Sequence, residues 1–170
     1  MKHICATLLL LCSPVVPDYD IQFVERVKTC ALEYNSILEP VDRIPINLLL
    51  AQAIHESGWG KSRFARKGHN LFGIKAVDDE SFMWSSNMQK VKTYRSDCES
   101  VEDYIDLLSF GKPYVEFKSE LTKQWVNDNV NVYLLVDYLD DYAEDEQYEE
   151  KIKKIIMQLE KSTFLSSSSS

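Results

Sequence analysis

The sequence predicts a mainly α domain with room for one small β element, and three observations carry that prediction. Apolar residues recur at helical spacing through most of the chain, and proline, glycine and serine–acid signals punctuate them where helices begin and end. One stretch alone, Asn70 to Thr93, lacks that period and mixes aromatic and β-branched residues with polar ones. The 170 residues are 45% hydrophobic and 27% charged, the makeup of one ordinary globular domain large enough to bury a real core.

At the amino end, Met1-Lys2-His3 is a short basic start, and the largely apolar run from Ile4 to Val16 stops at Pro17-Asp18. The run is too short to span a bilayer, so residues 1–17 read as a secretory signal and the protein is expected to be exported, to the periplasm or beyond. No clean small-x-small pattern marks a cleavage site, and the small residues that precede a lipoprotein cysteine are missing before Cys12. Helical periodicity then predicts a first helix over Asp20 to Leu38. Ile44-Pro45 opens a second that runs to about Glu56, with proline near its first position. Gly58 to Asn70 reads as a turn with a short irregular helix, and Asn70 to Thr93 as a small hairpin or lobe.

Ser96-Asp97-Cys98-Glu99 has the form of a capping box, Ser96 accepting from the backbone while Glu99 reaches back. It opens a helix through Val101, Tyr104, Ile105 and Leu108 that Gly111 and Pro113 end. Further helical pieces are expected over Val115 to Gln124, Val130 to Tyr138 and Gln147 to Lys161. The domain therefore spans 18–162, and 163–170, with its run of serines, is expected to be a disordered tail. Loss of the signal would leave Cys30 and Cys98. Cys30 shares a helical stripe with Phe23, Val24, Val27 and Ala31, so the two are expected as separate buried thiols rather than a disulfide.

The most informative stretch is Leu50-Ala51-Gln52-Ala53-Ile54-His55-Glu56-Ser57-Gly58-Trp59-Gly60. At about 100° per residue, Glu56 falls at the edge of the stripe formed by Ile46, Leu49, Leu50 and Ala53, while His55 points away. Gln52 lies one turn earlier on the same side, placed to orient Glu56 or to touch a ligand. A carboxyl at such an edge can be kept partly dry and so hold its proton near neutral pH, which a general acid requires. The plainer reading pairs Glu56 with Lys61 or Arg63. Against it, an acid at a helix C-terminus faces the unfavourable end of the dipole. Trp59 reads either as a core anchor or as a flat wall for a sugar ring that also dries Glu56.

Four ordered blocks over roughly residues 40–160 resemble the glucosaminidase family of peptidoglycan hydrolases (glycoside hydrolase family 73), which takes in autolysins, flagellar-rod muralytic domains and Bax-like proteins. The blocks are Ala51 to Ser62 around Glu56-Ser57-Gly58-Trp59-Gly60; Asn70-Leu71-Phe72-Gly73-Ile74-Lys75-Ala76; Tyr94-Arg95-Ser96 with Glu99-Ser100 and Asp103-Tyr104; and Tyr142-Ala143-Glu144-Asp145 with Tyr148 and Lys151-Ile152. The resemblance implies a lysozyme-like helical fold with a sugar-binding cleft, and cleavage of the β-1,4 bond after N-acetylglucosamine in peptidoglycan. Glu56 matches the family's catalytic acid and Tyr142 the tyrosine near the scissile sugar. Asn70 and Phe72 match cleft-side positions, although turn capping for Asn70 and core packing for Phe72 explain them as simply.

One departure bears on mechanism. Many members carry a second glutamate in a β-lobe before the third block, and here Val77 to Thr93 is short, with Glu80 its only glutamate. Asp78-Asp79-Glu80 reads slightly better as a solvated loop. Without a second carboxylate, the sugar's own N-acetyl group can serve as nucleophile. Two other readings stand beside the hydrolase. A lytic transglycosylase shares the glutamate–serine pair but not the Asn-Leu-Phe-Gly turn, and a wall-binding module would keep the site without turnover.

Charge narrows the partners. From Glu56 to Arg95 there are eight basic residues against four acidic ones in a chain of net charge −8, a local bias that suits a carboxylate-bearing polymer such as peptidoglycan glycan strands. The bases are scattered and match no nucleic-acid-reading motif. His3, His55 and His69 form no ligand pair, so no metal or cofactor is expected; nor is a membrane span, and the protein is expected to be a monomer.

Overall fold

The computed structural model describes residues 18–139, 142, 145 and 147–167. The run read as a secretory signal lies outside the described residues. The described residues include seven α-helices and one β-hairpin: α1 (Asp18–Ile37), α2 (Ile46–Ser57), α3 (Arg63–Gly68), β1 (Phe82–Trp84), β2 (Lys90–Lys92), α4 (Asp97–Phe110), α5 (Val115–Val126), α6 (Val132–Val136) and α7 (Tyr148–Ser167). Short 310 turns at Pro40–Asp42 and Lys112–Tyr114 lead into α2 and α5. Since α7 runs to Ser167, the first residues of the expected serine tail continue a helix; 168–170 lie outside the described residues.

Helix α2 is the centre. Eight of its twelve residues are buried, so it is apolar almost all round, as a helix enclosed by others must be. It has no side-chain cap at Pro45, a loss of about 1 kcal/mol. Leu48, Leu49 and Leu50, at 3% exposure or less, outweigh that with roughly 2 kcal/mol each. Helices α1, α6 and α7 pack around α2, and α1 also packs along α4. The two ends of the described chain thus meet on the helix that carries Glu56.

Cys30 of α1 and Cys98 of α4 form a disulfide, with Cα atoms 5.0 Å apart. This corrects the expectation of separate thiols. Periodicity placed Cys30 on the buried face of α1, and the packing of α4 on that face brings Cys98 within bonding reach.

The capping box at α4 is also rearranged. Ser96 accepts from the Glu99 N–H at 3.2 Å as expected, but the Glu99 carboxylate reaches back to the Arg95 N–H, at 2.9 Å, one residue earlier. The Arg95 guanidinium pairs with the same carboxylate at 2.5 Å.

The stretch without helical period is the β-lobe. β1 and β2 pair antiparallel, with Phe82 opposite Lys92, Met83 opposite Val91 and Trp84 opposite Lys90. Lys75 bridges to Val91 on the other edge of β2, so residues 74–76 form a third, partial strand. Val91 is buried, and Met83 faces Gly68 of α3.

Candidate active site

Glu56 sits in the last turn of α2, part-exposed, and the chain turns sharply just after it. Gly58, Trp59 and Gly60 take φ values of 57°, 60° and 71°, three consecutive left-handed residues. Trp59 has a Cβ and carries a strain of about 1 kcal/mol there. Its ring, part-buried, packs against the core, which favours the anchoring reading. Ser57 organises the turn: its buried hydroxyl donates to the Ala53 carbonyl at 2.5 Å and accepts from the Gly60 N–H at 2.7 Å. A Cβ on Gly60 would lie 2.7 Å from the Phe23 ring of α1. Gly60→Ala is therefore expected to cost about 2 kcal/mol or more, from backbone strain and overlap together, read as a lowered midpoint in chemical denaturation.

Across from Glu56 lies the Asn70–Ile74 turn. Asn70 is 2% exposed and its amide is fully used: Nδ2 donates to the carbonyls of Ile74 and Lys92 at 2.9 and 2.8 Å, while Oδ1 accepts from the N–H groups of Phe72 and Ile74. One side chain thus fixes the turn and ties it to β2. Phe72, 1% exposed, stacks on Tyr104 with centroids 4.0 Å apart. Gly73, at φ 70°, brings bare backbone to the carboxylate, since a Cβ there would lie 3.5 Å from Glu56 Oε2. Tyr142 locks the turn from the far side, its hydroxyl donating to the Phe72 carbonyl at 2.7 Å and its ring stacked 5.9 Å from Tyr148.

Behind Glu56 runs a chain of hydrogen bonds. Tyr104 donates to Gln52 Oε1, and Gln52 Nε2 donates to the Tyr148 hydroxyl at 2.6 Å. Tyr148 in turn hydrogen-bonds to the Glu56 carboxylate. Each donor has one acceptor, so the order of the chain fixes the direction of its protons. Burial pushes Glu56 up to about 7, with the Tyr148 hydrogen bond pulling the other way. Burial also raises Tyr104, Tyr142 and Tyr148, which keeps all three phenols protonated at neutral pH. A carboxyl near half-protonation, supported by neutral donors, can give a proton to a leaving oxygen and take one back from water.

The structure brings Glu56, Gln52, Asn70, Phe72 and Tyr142 into one cluster but gives several of them other neighbours than a ligand. Gln52 is 0% exposed, and its amide is bonded to Tyr104 and to Tyr148, the residue that bonds Glu56. Asn70 and Phe72 are buried in the turn as described. Glu80 lies in the lobe, with one carboxylate oxygen 2.6 Å from Lys92 Nζ and the other accepting from the Val77 N–H at 2.9 Å. Lys92 also pairs with Asp103 of α4 at 2.9 Å, so Lys92 joins the lobe to α4 with Glu80 holding it from the lobe side. Arg63, a candidate partner of Glu56, instead donates to the Trp84 carbonyl.

Tyr104 and Tyr148 received no role from the sequence. The available signal was Gln52 itself, because an amide inside an apolar helix needs buried polar partners. His55, read as pointing away, packs edge-on against Tyr148 at 5.4 Å. A cavity of about 430 Å³ lies elsewhere, lined by Arg26, Arg66, His69, Arg95 and Asp97 beside the disulfide. Glu56 is not among its lining residues, and the one acid there, Asp97, is bonded to Arg26 and His69. Among the described residues no group of His, Cys, Asp and Glu is arranged to hold a metal, and no helix is long and apolar enough to cross a membrane.

Comparison with known proteins gives this arrangement its relatives. The protein Bax of Escherichia coli K12 is 30% identical over 116 residues, covering 68% of this chain and 42% of that protein. The peptidoglycan hydrolase FlgJ of the same strain is 28% identical over 133 residues, covering 68% and 40%. This chain thus spans less than half the length of either. The glycoside hydrolase domain of Salmonella typhimurium FlgJ superposes with a TM-score of 0.65 at 24% identity, covering 88% of this chain and 94% of that one, a likeness of fold. The family model for glucosaminidase, described as mannosyl-glycoprotein endo-beta-N-acetylglucosaminidase, matches residues 33–161. That span holds Glu56, the Asn70–Ile74 turn, Tyr104, Tyr142 and Tyr148 alike, and by it this lysozyme-like helical chain belongs to the glucosaminidase family of glycoside hydrolases.

Proposed function

We propose that this protein hydrolyses peptidoglycan at the β-1,4 bond after N-acetylglucosamine, with Glu56 as the proton donor. The observation that carries the reading is the half-buried carboxyl raised to about 7 beside the bare backbone of Gly73. FlgJ, a relative over most of this domain, is a peptidoglycan hydrolase by name, which supports the choice of polymer.

The bonding of Glu80 favours a route with one protein carboxylate. Glu56 protonates the leaving oxygen as the carbonyl oxygen of the sugar's N-acetyl group attacks the anomeric carbon and the glycosidic bond breaks. Glu56, now a carboxylate, takes a proton from water, which opens the cyclic intermediate and restores the N-acetyl group. Tyr142 spends its proton on the Phe72 carbonyl, and its oxygen keeps lone pairs that can accept the N–H of the acetamido group. Gln52 and Tyr104 act through Tyr148 as positioning residues.

Tyr148→Phe tests that arrangement. Removing the hydroxyl takes away a hydrogen bond that favours the Glu56 carboxylate, so the alkaline limb of the pH–rate profile is expected to move to higher pH. An unmoved limb would disconnect Tyr148 from the acid.

Digestion of purified peptidoglycan with reducing-end analysis tests the function itself. Fragments ending in reducing N-acetylglucosamine are expected. Anhydro ends would assign a transglycosylase instead, and binding without release would make this a wall-binding module. The proposed site of action is the periplasm or the cell exterior, where such a polymer lies and where a disulfide persists.

A further inference from the structure

Phe82 and Trp84 stand on β1 with their side chains in water, at 38% and 48% exposure. Two residues apart on a strand, they share a face of the hairpin, and their rings meet edge to face at 5.1 Å. Their cross-strand partners on that face are Lys92 and Lys90, and Lys90 Nζ lies 4.9 Å from the Phe82 ring. The opposite face does the anchoring, with Val91 buried and Met83 against α3. The Arg63 bond to the Trp84 carbonyl pins the strand from α3 as well. Lys92, at one end of the other face, is also held, by Glu80 and by Asp103 of α4, so what the hairpin leaves outward is the aromatic pair and the Lys90 ammonium group.

This face is reached from Glu56 along the sheet. The backbone passes Glu56 at Gly73 and continues into residues 74–76, which bond to β2 through Lys92 N–H to the Ile74 carbonyl and Ala76 N–H to the Lys90 carbonyl, each at 3.0 Å. β1 lies on the far side of β2. Two strand spacings put the aromatic pair about 10 Å beyond the 74–76 segment, the length scale of a disaccharide.

We propose that this outward face is a second binding surface for the polysaccharide, away from the bond being cut. Phe82 and Trp84 stack on the C–H faces of sugar rings, and Lys90 takes a carboxylate of an attached peptide. The inference rests on the peptidoglycan reading of the Glu56 site and extends it. Two features favour this occupant: a sugar ring is apolar on its face and polar at its rim, as a ring pair flanked by an ammonium group requires, and the local basic bias in a chain of net charge −8 suits an anionic polymer.

The test is co-sedimentation with purified, insoluble peptidoglycan, using protein that carries Glu56→Gln so that binding is read without turnover. Adding Phe82→Ala and Trp84→Ala is expected to weaken binding about tenfold while leaving the thermal midpoint unchanged, because neither ring belongs to the core. Adding Lys90→Ala instead is expected to weaken binding to peptide-bearing material and to leave binding to peptide-stripped glycan unchanged. Unchanged sedimentation of the double aromatic variant would overturn the proposal. So would loss of self-association in that variant, seen by analytical ultracentrifugation with binding intact, since a second copy would then be the occupant. Absence of fragment release by the wild type would refute the hydrolase reading while leaving this readout intact, so the two failures are distinguishable.

Discussion

Glu56→Gln is expected to lower the rate of glycan cleavage about a thousandfold while leaving the fold intact. The amide keeps the size of the side chain and loses the transferable proton. In the wild type, cleavage is expected to fall as pH rises through about 7, where the carboxyl gives up its proton. His55 is close by, but burial and Lys151 lower its pKa against the pull of Asp145, which moves its titration away from that limb.

The same substitution has a stability signature of definite sign. The folded-state value of Glu56 lies above its ordinary 4.5, so its contribution is fully present below pH 4.5 and is lost as pH rises to about 7. Glutamine does not titrate. Relative to the wild type, Glu56→Gln is therefore expected to gain about 3 kcal/mol between pH 4 and pH 8, read by urea unfolding at the two pH values. A merely structural surface glutamate would give no such gain.

Breaking the Cys30–Cys98 disulfide is the second large effect. It joins residues 68 apart in sequence, and closing a loop of that length in the unfolded chain corresponds to about 4 kcal/mol. Paired Cys30→Ser and Cys98→Ser substitutions, or reduction, are expected to lower unfolding stability by that order, with most of the loss absent if reductant is added to both proteins. Since the disulfide ties α1 to the start of α4, and α4 carries Tyr104, the reduced protein is also expected to be the more sensitive to heat at the Glu56 site. Equal stability of oxidised and reduced protein would contradict the pairing.

The sequence made some of these features legible and hid others for identifiable reasons. Helical geometry set Glu56 at the edge of an apolar stripe, and the half-buried carboxyl is where that geometry puts it. The helical wheel also placed Gln52 on the same side, but it cannot say what fills the space. Tyr148, 96 residues along the chain, is the hydrogen-bond partner found there. The disulfide was missed because periodicity shows that Cys30 is buried and says nothing about which helix covers it. Glu80 was visible as the lobe's lone glutamate, yet its two bonds depend on Lys92 and on a loop whose shape no period encodes. Three of the four motif blocks hold a residue with a local role, Ser57 within its turn, Asn70 within its own and Ser96 at its cap, whereas the fourth acts through Tyr142 and Tyr148 on partners 70 and 96 residues away.

The central claim is that Glu56 holds its proton near neutral pH and delivers it to the glycosidic oxygen. The most direct measurement is a carbon-13 titration of the glutamate carboxyls, with Glu56 assigned by its absence in Glu56→Gln, set beside the pH dependence of cleavage by the same preparation. A Glu56 midpoint near 7 that coincides with the alkaline limb is the expected result. A midpoint near the ordinary 4.5, or a limb that does not follow it, would contradict the account.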